Sequence, residues 1–281
     1  MQLLFLTTTD VQSDRRDELD RMIRSVAASL PAGSSVHHIL LLQRATEEQR
    51  GALAASMPYP ATVLALAHRV SLSAARNIML DHARRSGLLS PDILVGFPDD
   101  DCWYPSTFLG RLVSEFERDA ELGLLFTRVS LTPVEIWPRS SMRVATPTDV
   151  LRRSNSNSLF LRGAVVAAIG GFDETLGLGT PNGSGEDTDY GLRASFAAPR
   201  TVYVDQDLVG HHEGDLASKT KYFSGNLVVA SRYATRHPKL FFEFARKIAV
   251  GAYLVLRRRL KMASYLNAIQ GSVGAFGRSA G

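Results

Sequence analysis

The chain has 281 residues, 45% of them hydrophobic and 21% charged, an ordinary globular composition with length enough to bury a core. Its single cysteine, Cys102, excludes an intrachain disulfide and any multi-cysteine metal site, and fits a reducing compartment. Net charge is +4, but the excess is local: from Lys239 onward eight Lys and Arg residues face one acid, Glu243, while the rest is nearly balanced, so global nucleic-acid binding is not indicated.

The opening "MQLLFLTTTD" has no basic region ahead of its apolar run and reads as a first strand, not a signal peptide. Leu19, Met22, Ile23, Val26 and Leu30 then recur at helical spacing. "HILLL" (His38 to Leu42) precedes the helix-prone "TEEQRGALAAS". "ATVLALA" precedes "SAARNIMLDHARRSG", a helix that Ser71 or Ser73 can cap and Gly87 can end. "DILVGF" (Asp92 to Phe97) leads into three aspartates and a helix with Phe108, Leu109, Leu112, Val113 and Phe116 on one face. Strand–helix alternation predicts an α/β fold with a mostly parallel central sheet flanked by helices. Residues 127–148, with Pro133, Pro138 and Pro147, read as strand pieces joined by loops, and "NSLFLR" as a further strand. A glycine-rich loop follows, and beyond His212 the chain reads as a helical extension. Its longest apolar run, Ile248 to Leu256, is far shorter than the ~20 residues needed to cross a bilayer.

Two acidic groups are candidates for chemistry. Asp99, Asp100 and Asp101 sit at a strand's carboxyl end, where open α/β sheets bind ligands. Adjacent carboxylates there supply hard oxygen ligands suited to Mg²⁺ or Mn²⁺, and the plain alternative is a solvated turn. Glu186, Asp187 and Asp189 begin a helix after the glycine-rich loop. A carboxylate at a helix start is favourable for the dipole in any case; as chemistry, it is a candidate general base. His211 and His212 add possible ligands or a merely structural pair, and Cys102 reads as a small packed hydrophobe.

In combination these blocks resemble glycosyltransferase family 2, the inverting nucleotide-sugar enzymes with a Rossmann-like GT-A fold. "SLSAARN" is similar to the family's S-x-x-x-A-R-N block, "FPDDDCWYP" to its aspartate metal motif, and "GFDETLGLG…GEDTDYGLR" to its G-F-D-E and E-D stretches. The resemblance implies that Asp101 and Asp100 hold a divalent cation, Mn²⁺ or Mg²⁺, with Asp99 towards the ribose. Three consecutive aspartates leave that register open by one. It further implies Asp187 as general base, Glu186 beside the acceptor or its loop, and His211 or His212 near the metal or diphosphate. Thr7, Thr9 and Arg76 would line the nucleotide. Gln43 stands where the family commonly has a base-contacting aspartate, which leaves the nucleotide open: a UDP-sugar is the first expectation, with GDP- and dTDP-sugars as alternatives.

The implied organisation is a catalytic domain over residues 1–215, with a nucleotide half of about 1–105 and an acceptor half of about 106–215, then a basic helical extension over 216–281. The implied activity is sugar transfer to a hydroxyl of a glycan or lipid-linked acceptor in bacterial surface or exopolysaccharide synthesis. Two other readings compete. A sugar nucleotidyltransferase would want a glycine-rich loop with a lysine near the N-terminus, which "TTTDVQSDRRDE" lacks. A non-catalytic nucleotide-sugar-binding subunit would have little use for an intact acidic set. The expected location is cytoplasmic. The basic extension has two readings, peripheral contact with anionic lipid at the inner membrane face and a packed helical cap or homodimer interface.

Overall fold

The computed structural model describes residues 1–211 and 220–277. Aliphatic runs form β1 (Gln2–Asp10), β2 (Ser35–Gln43) and β3 (Ala61–Leu66), separated by α1 (Arg16–Ser29) and α2 (Glu47–Ser56). The Thr46 side chain accepts from the Gln49 backbone N–H and Gln49 returns the bond, a capping box that fixes the start of α2. Then come α3 (Leu72–Arg85), β4 (Leu94–Gly96), α4 (Phe108–Arg118), β5 (Leu122–Ser130), β6 (Met142–Val144) and α5 (Pro147–Arg153). Ser71 caps α3 by accepting from Ala74, while Ser73 turns inward and donates to the Leu176 carbonyl. The chain continues through β7 (Leu159–Arg162), α6 (Gly163–Ile169), α7 (Glu186–Ala197) and β8 (Arg200–Gly210) to α8 (Phe223–Arg232), α9 (Pro238–Leu256) and α10 (Met262–Ala275).

The eight strands form one sheet in the order β3-β2-β1-β4-β7-β5-β8-β6. β1 pairs in parallel with β2 and β4, β2 with β3, and β5 with β8. Only β7 and β6 run the other way. The mostly parallel sheet predicted from the alternation is therefore present. Strand β8, whose "TVYV" alternates weakly, was not anticipated, and without it the edge beyond β5 would be missing.

Period-two alternation distributes side chains to the two faces of the sheet. Leu4, Leu6, Ile39, Leu41 and Val95 pack with Ala75, Met79 and Leu80 of α3 and with Tyr190 of α7. Leu3, Phe5, Leu40, Leu42 and Leu94 pack on the opposite side with Met22 and Val26 of α1 and Leu109 and Leu112 of α4. A smaller cluster of Phe223, Leu227, Leu260 and Ala268 joins α8 to the C-terminal helices. No helix among the described residues is long and apolar enough to cross a membrane.

One crossing sets the position of the aspartate turn. The Trp103 N–H donates to the Gly210 carbonyl at 3.0 Å and the Gly210 N–H returns a bond at 2.8 Å, tying the turn after β4 to the end of β8. A Cβ on Gly210 would sit 2.0 Å from Cε2 of the Trp103 ring, so nothing larger than hydrogen fits. We expect Gly210→Ala to lose about 1–3 kcal/mol, the usual cost of overpacking. Urea denaturation measures this, and an unchanged midpoint would show that the ring yields freely.

Candidate active site

All strands pointing the same way end at one edge of the sheet, and a cleft of about 940 Å³ runs along it. The β1 and β2 ends supply Thr8, Thr9, Asp10 and Gln43; the turn after β4 supplies Asp99, Asp100 and Asp101. Because β7 is reversed, its amino-terminal approach, Ser154 to Ser156, reaches the same edge. Glu186, Asp187 and His211 close the far side.

The three aspartates do different things. Asp99 accepts from Arg76 Nη2 at 3.2 Å, and its own backbone N–H donates to Asn157 Oδ1 at 2.6 Å. Asp100 accepts from Thr9 Oγ1 at 2.6 Å and from Arg15 Nη1 at 3.0 Å. Asp101 accepts from the same Arg15 nitrogen at 3.1 Å, and its Oδ1 lies 3.2 Å from Nε2 of His211. Ligand atoms of Asp99, Asp101 and His211 all lie within 4.8 Å of one another. Two carboxylates and an imidazole facing an open cleft are a donor set that fits Mn²⁺ or Mg²⁺. Of the three aspartates, Asp99 and Asp101 are the two that approach His211, while Asp100 is bonded to Thr9 and Arg15. Burial raises the Asp99 carboxyl to about 6, and raises Asp100 as well, against the pull of Thr9 and Arg15.

Opposite stands Asp187. Arg76 Nη1 donates to its Oδ1 at 2.6 Å and the Ser156 backbone N–H to its Oδ2 at 3.0 Å. Arg76 is 2% exposed and stacks over the Phe172 ring at 5.0 Å, so one buried guanidinium bridges Asp187 and Asp99. Arg76, expected on the nucleotide, lines the cleft and also stands between the two carboxylates. The chain enters α7 through Gly185 at φ 96°, a left-handed backbone that presents Glu186 and Asp187 in the first turn, where the helix dipole favours acids. Burial, reinforced by the Asp187 charge, pushes the Glu186 carboxyl up to about 8. Asp189 leaves the cleft altogether and pairs with Arg193, Arg232 and Tyr233.

The remaining expected residues divide. Thr9 and Gln43 line the cleft. Gln43 donates to Thr8 and accepts from the Val70 N–H, which pins the loop before α3. Thr7 is buried beneath the wall, donating to the Pro98 carbonyl and facing His38 Nε2 at 2.8 Å, so it braces the aspartate turn and does not line the cleft. His212 lies outside the described residues. Cys102 is buried and its thiol is pushed well up, as a packed hydrophobe requires. The sequence reading passed over Arg15, Ser156 and an ion cluster at the β1 end, where Arg44 donates to Asp10 at 2.8 Å and Arg69 lies 3.8 Å away. No spacing rule singles them out, because each is defined by a partner distant in sequence.

Comparison with known proteins identifies the family and the fold. The sequence matches the model of one protein family, described as glycosyl transferase family 2, over residues 14–167, more than half of the chain. The chain belongs to glycosyl transferase family 2. Its fold is GT-A. Among solved structures, this family 2 chain is similar to Staphylococcus aureus TarS, with TM-score 0.70 and 14% identity over 98% of this chain and 49% of that one. It thus spans about half the length of that relative. A TarS 1–349 structure in complex with UDP-GlcNAc gives TM-score 0.69 at 14% identity, covering 98% of this chain and 81% of that chain. The mannosyltransferase PcManGT from Pyrobaculum calidifontis, in complex with GDP-Man and Mn²⁺, gives 0.60 at 14% identity, with 97% and 86% covered. No curated protein matches in sequence.

Two outcomes follow from the charges of the cleft. Arg76→Gln leaves Asp99 and Asp187 without their shared counter-charge and should cost roughly 3 kcal/mol without added metal, as removal of one member of a buried pair does. Combined with Asp187→Asn, the loss should be well below additive in a double-mutant cycle followed by urea unfolding. Glu186 titrates near 8 when folded, above its ordinary 4.5, so its stabilising contribution is present below pH 4.5 and lost as pH rises towards 8. Glu186→Gln should flatten that fall, as read by denaturation midpoints across the range in EDTA; an unchanged slope removes Glu186 as its source.

Proposed function

We propose that the protein is an inverting, cation-dependent glycosyltransferase that moves a sugar from a nucleotide-sugar to a hydroxyl of a glycan or lipid-linked acceptor. The observation that carries this is the pair of facing carboxylate groups, Asp99 with Asp101 and His211 on one side and Asp187 on the other, joined by Arg76. We assign the nucleotide half to about residues 1–105 and the acceptor half to about 106–215. A UDP-sugar is the first candidate donor, since the TarS relative is seen with UDP-GlcNAc; GDP-sugars follow, since PcManGT is seen with GDP-Man. The family resemblance favours a bacterial surface glycan or exopolysaccharide as product.

Asp99, Asp101 and His211 are assigned to the divalent cation, which when bound supplies charge neutralisation for the departing diphosphate. Thr9, Gln43 and Asp100 are assigned to the donor end. Asp187 is the assigned base. Its orientation is set by Arg76 and the Ser156 N–H, and each carboxylate oxygen keeps a lone pair for the acceptor proton. As that proton moves to Asp187, the acceptor oxygen forms its bond to the anomeric carbon. The bond from that carbon to the diphosphate oxygen breaks, and its electron pair leaves with the diphosphate. Attack opposite the leaving group inverts the centre in one step. Glu186, protonated at neutral pH, can donate a hydrogen bond to the acceptor where an ionised neighbour would repel Asp187.

The test screens UDP-, GDP- and dTDP-sugars by thermal shift and donor hydrolysis, with and without Mn²⁺, on wild type and Asp187→Asn. One donor should raise Tm of both proteins only with metal. Turnover by the variant should fall by about 10²–10⁴, the usual worth of a general base. Wild-type turnover by Asp187→Asn would remove the base assignment, and metal-independent binding would remove the cation's.

A further inference from the structure

From Phe244 to Gly277 the chain contains no aspartate or glutamate, yet it carries Arg246, Lys247, Arg257, Arg258, Arg259 and Lys261. Helix α10 has no Asp, Glu, Lys or Arg at all. Such a segment would be unremarkable if its apolar side chains were covered by the domain. Among the described residues they are covered on one side only. Leu240, Glu243 and Gly251 of α9 and Ala268 and Ser272 of α10 face inward, and the Tyr265 hydroxyl donates to the Ile248 carbonyl at 3.1 Å, locking the two helices together.

The outer side is apolar as well. Along α9, Phe242, Ala245, Ala249, Tyr253 and Leu256 recur at three- and four-residue intervals and all are exposed, Phe242 at 66%, Tyr253 at 58% and Leu256 at 81%. Just past the turn, Met262 is 57% exposed, and Leu266 and Val273 continue the outer face of α10. Between Leu256 and Met262 stand the exposed guanidinium groups of Arg257, Arg258 and Arg259.

We infer that α9, the arginine turn and α10 form an interfacial surface that seats the protein on an anionic lipid bilayer. Neither helix can span one, so both lie in the plane of the interface, with apolar side chains in the acyl boundary and arginines among the headgroup phosphates. Charge decides against a second copy of the chain as occupant. A twofold contact over this face would bury the same basic patch twice, and the one carboxylate of these helices, Glu243, faces inward and is already paired with Arg152 and Arg246. The inference deepens the lipid-linked acceptor reading, and its readout is independent of sugar transfer.

The experiment is co-sedimentation of the full chain with vesicles of phosphatidylcholine alone and of phosphatidylcholine mixed with phosphatidylglycerol. Wild type should pellet with the anionic vesicles only, and less so as salt rises. Removing three basic residues in Arg257→Gln/Arg258→Gln/Arg259→Gln should weaken partitioning roughly hundredfold, at about fivefold per charge. Leu256→Ser/Met262→Ser, on exposed positions that do not hold the fold, should weaken it about tenfold through lost apolar insertion. Metal-dependent donor hydrolysis in solution should be unchanged in both variants, which separates failure of this inference from failure of the transferase reading. Wild type remaining in the supernatant with anionic vesicles, or pelleting equally with both kinds, overturns the inference. So does a dimer in sedimentation velocity that Leu256→Ser/Met262→Ser dissociates, which would assign the face to a second copy.

Discussion

The cleft depends on one buried cation. Arg76 presents two nitrogens from α3 to two carboxylates that come from different elements, Asp99 after β4 and Asp187 at the start of α7. Without it, like charges would meet across a site partly shielded from water, where their repulsion is several times larger than in bulk solvent. A guanidinium serves here because its fork can donate to two acceptors at once, which a lysine ammonium on a flexible stem does poorly. Burial of Arg76 against Phe172 makes its loss costly, and that cost couples the turn after β4 to the start of α7.

Around that cation, the sheet explains why polar groups collect on one edge. Six strands deliver their carboxyl ends there, and the reversed β7 brings its amino-terminal approach to the same place. Backbone N–H groups at that approach are not committed to the ladder. Ser156 uses its own on Asp187, while the Asn157 side chain accepts from the backbone of Asp99. Neighbouring carboxyls in sequence therefore acquire opposite characters. Asp187 is bonded to Arg76 and Ser156, whereas Glu186, one residue earlier, is buried and keeps its proton to about pH 8.

The C-terminal helices obey a different constraint. They attach to the domain through the small cluster around Phe223 and Leu260 and through the ion pair of Arg152 with Glu243. That attachment uses one side of each helix, and the other side is exposed among the described residues. A segment with apolar groups on both sides and basic residues at its turn is consistent with an environment that is neither core nor bulk water.

Much of this protein was legible in its sequence. Runs such as "LLFL" and "HILLL" report burial on both faces of a strand, and Leu19 to Val26 report a helix face, because these signals are periodic and local. The acidic blocks were legible too, since consecutive like charges need a reason to stand together. The sequence by itself therefore determined the strand–helix layers and the two carboxylate groups. Tertiary structure alone decided which aspartates approach His211, that Thr7 faces the core, and that Arg76 spans the carboxylates. It also decided that Arg15 and Ser156 belong to the site and that β7 runs backwards. Each of those facts is a contact between residues tens of positions apart, as with Arg76 and Asp187, and no repeat along the chain encodes the direction in which a side chain turns to meet such a partner.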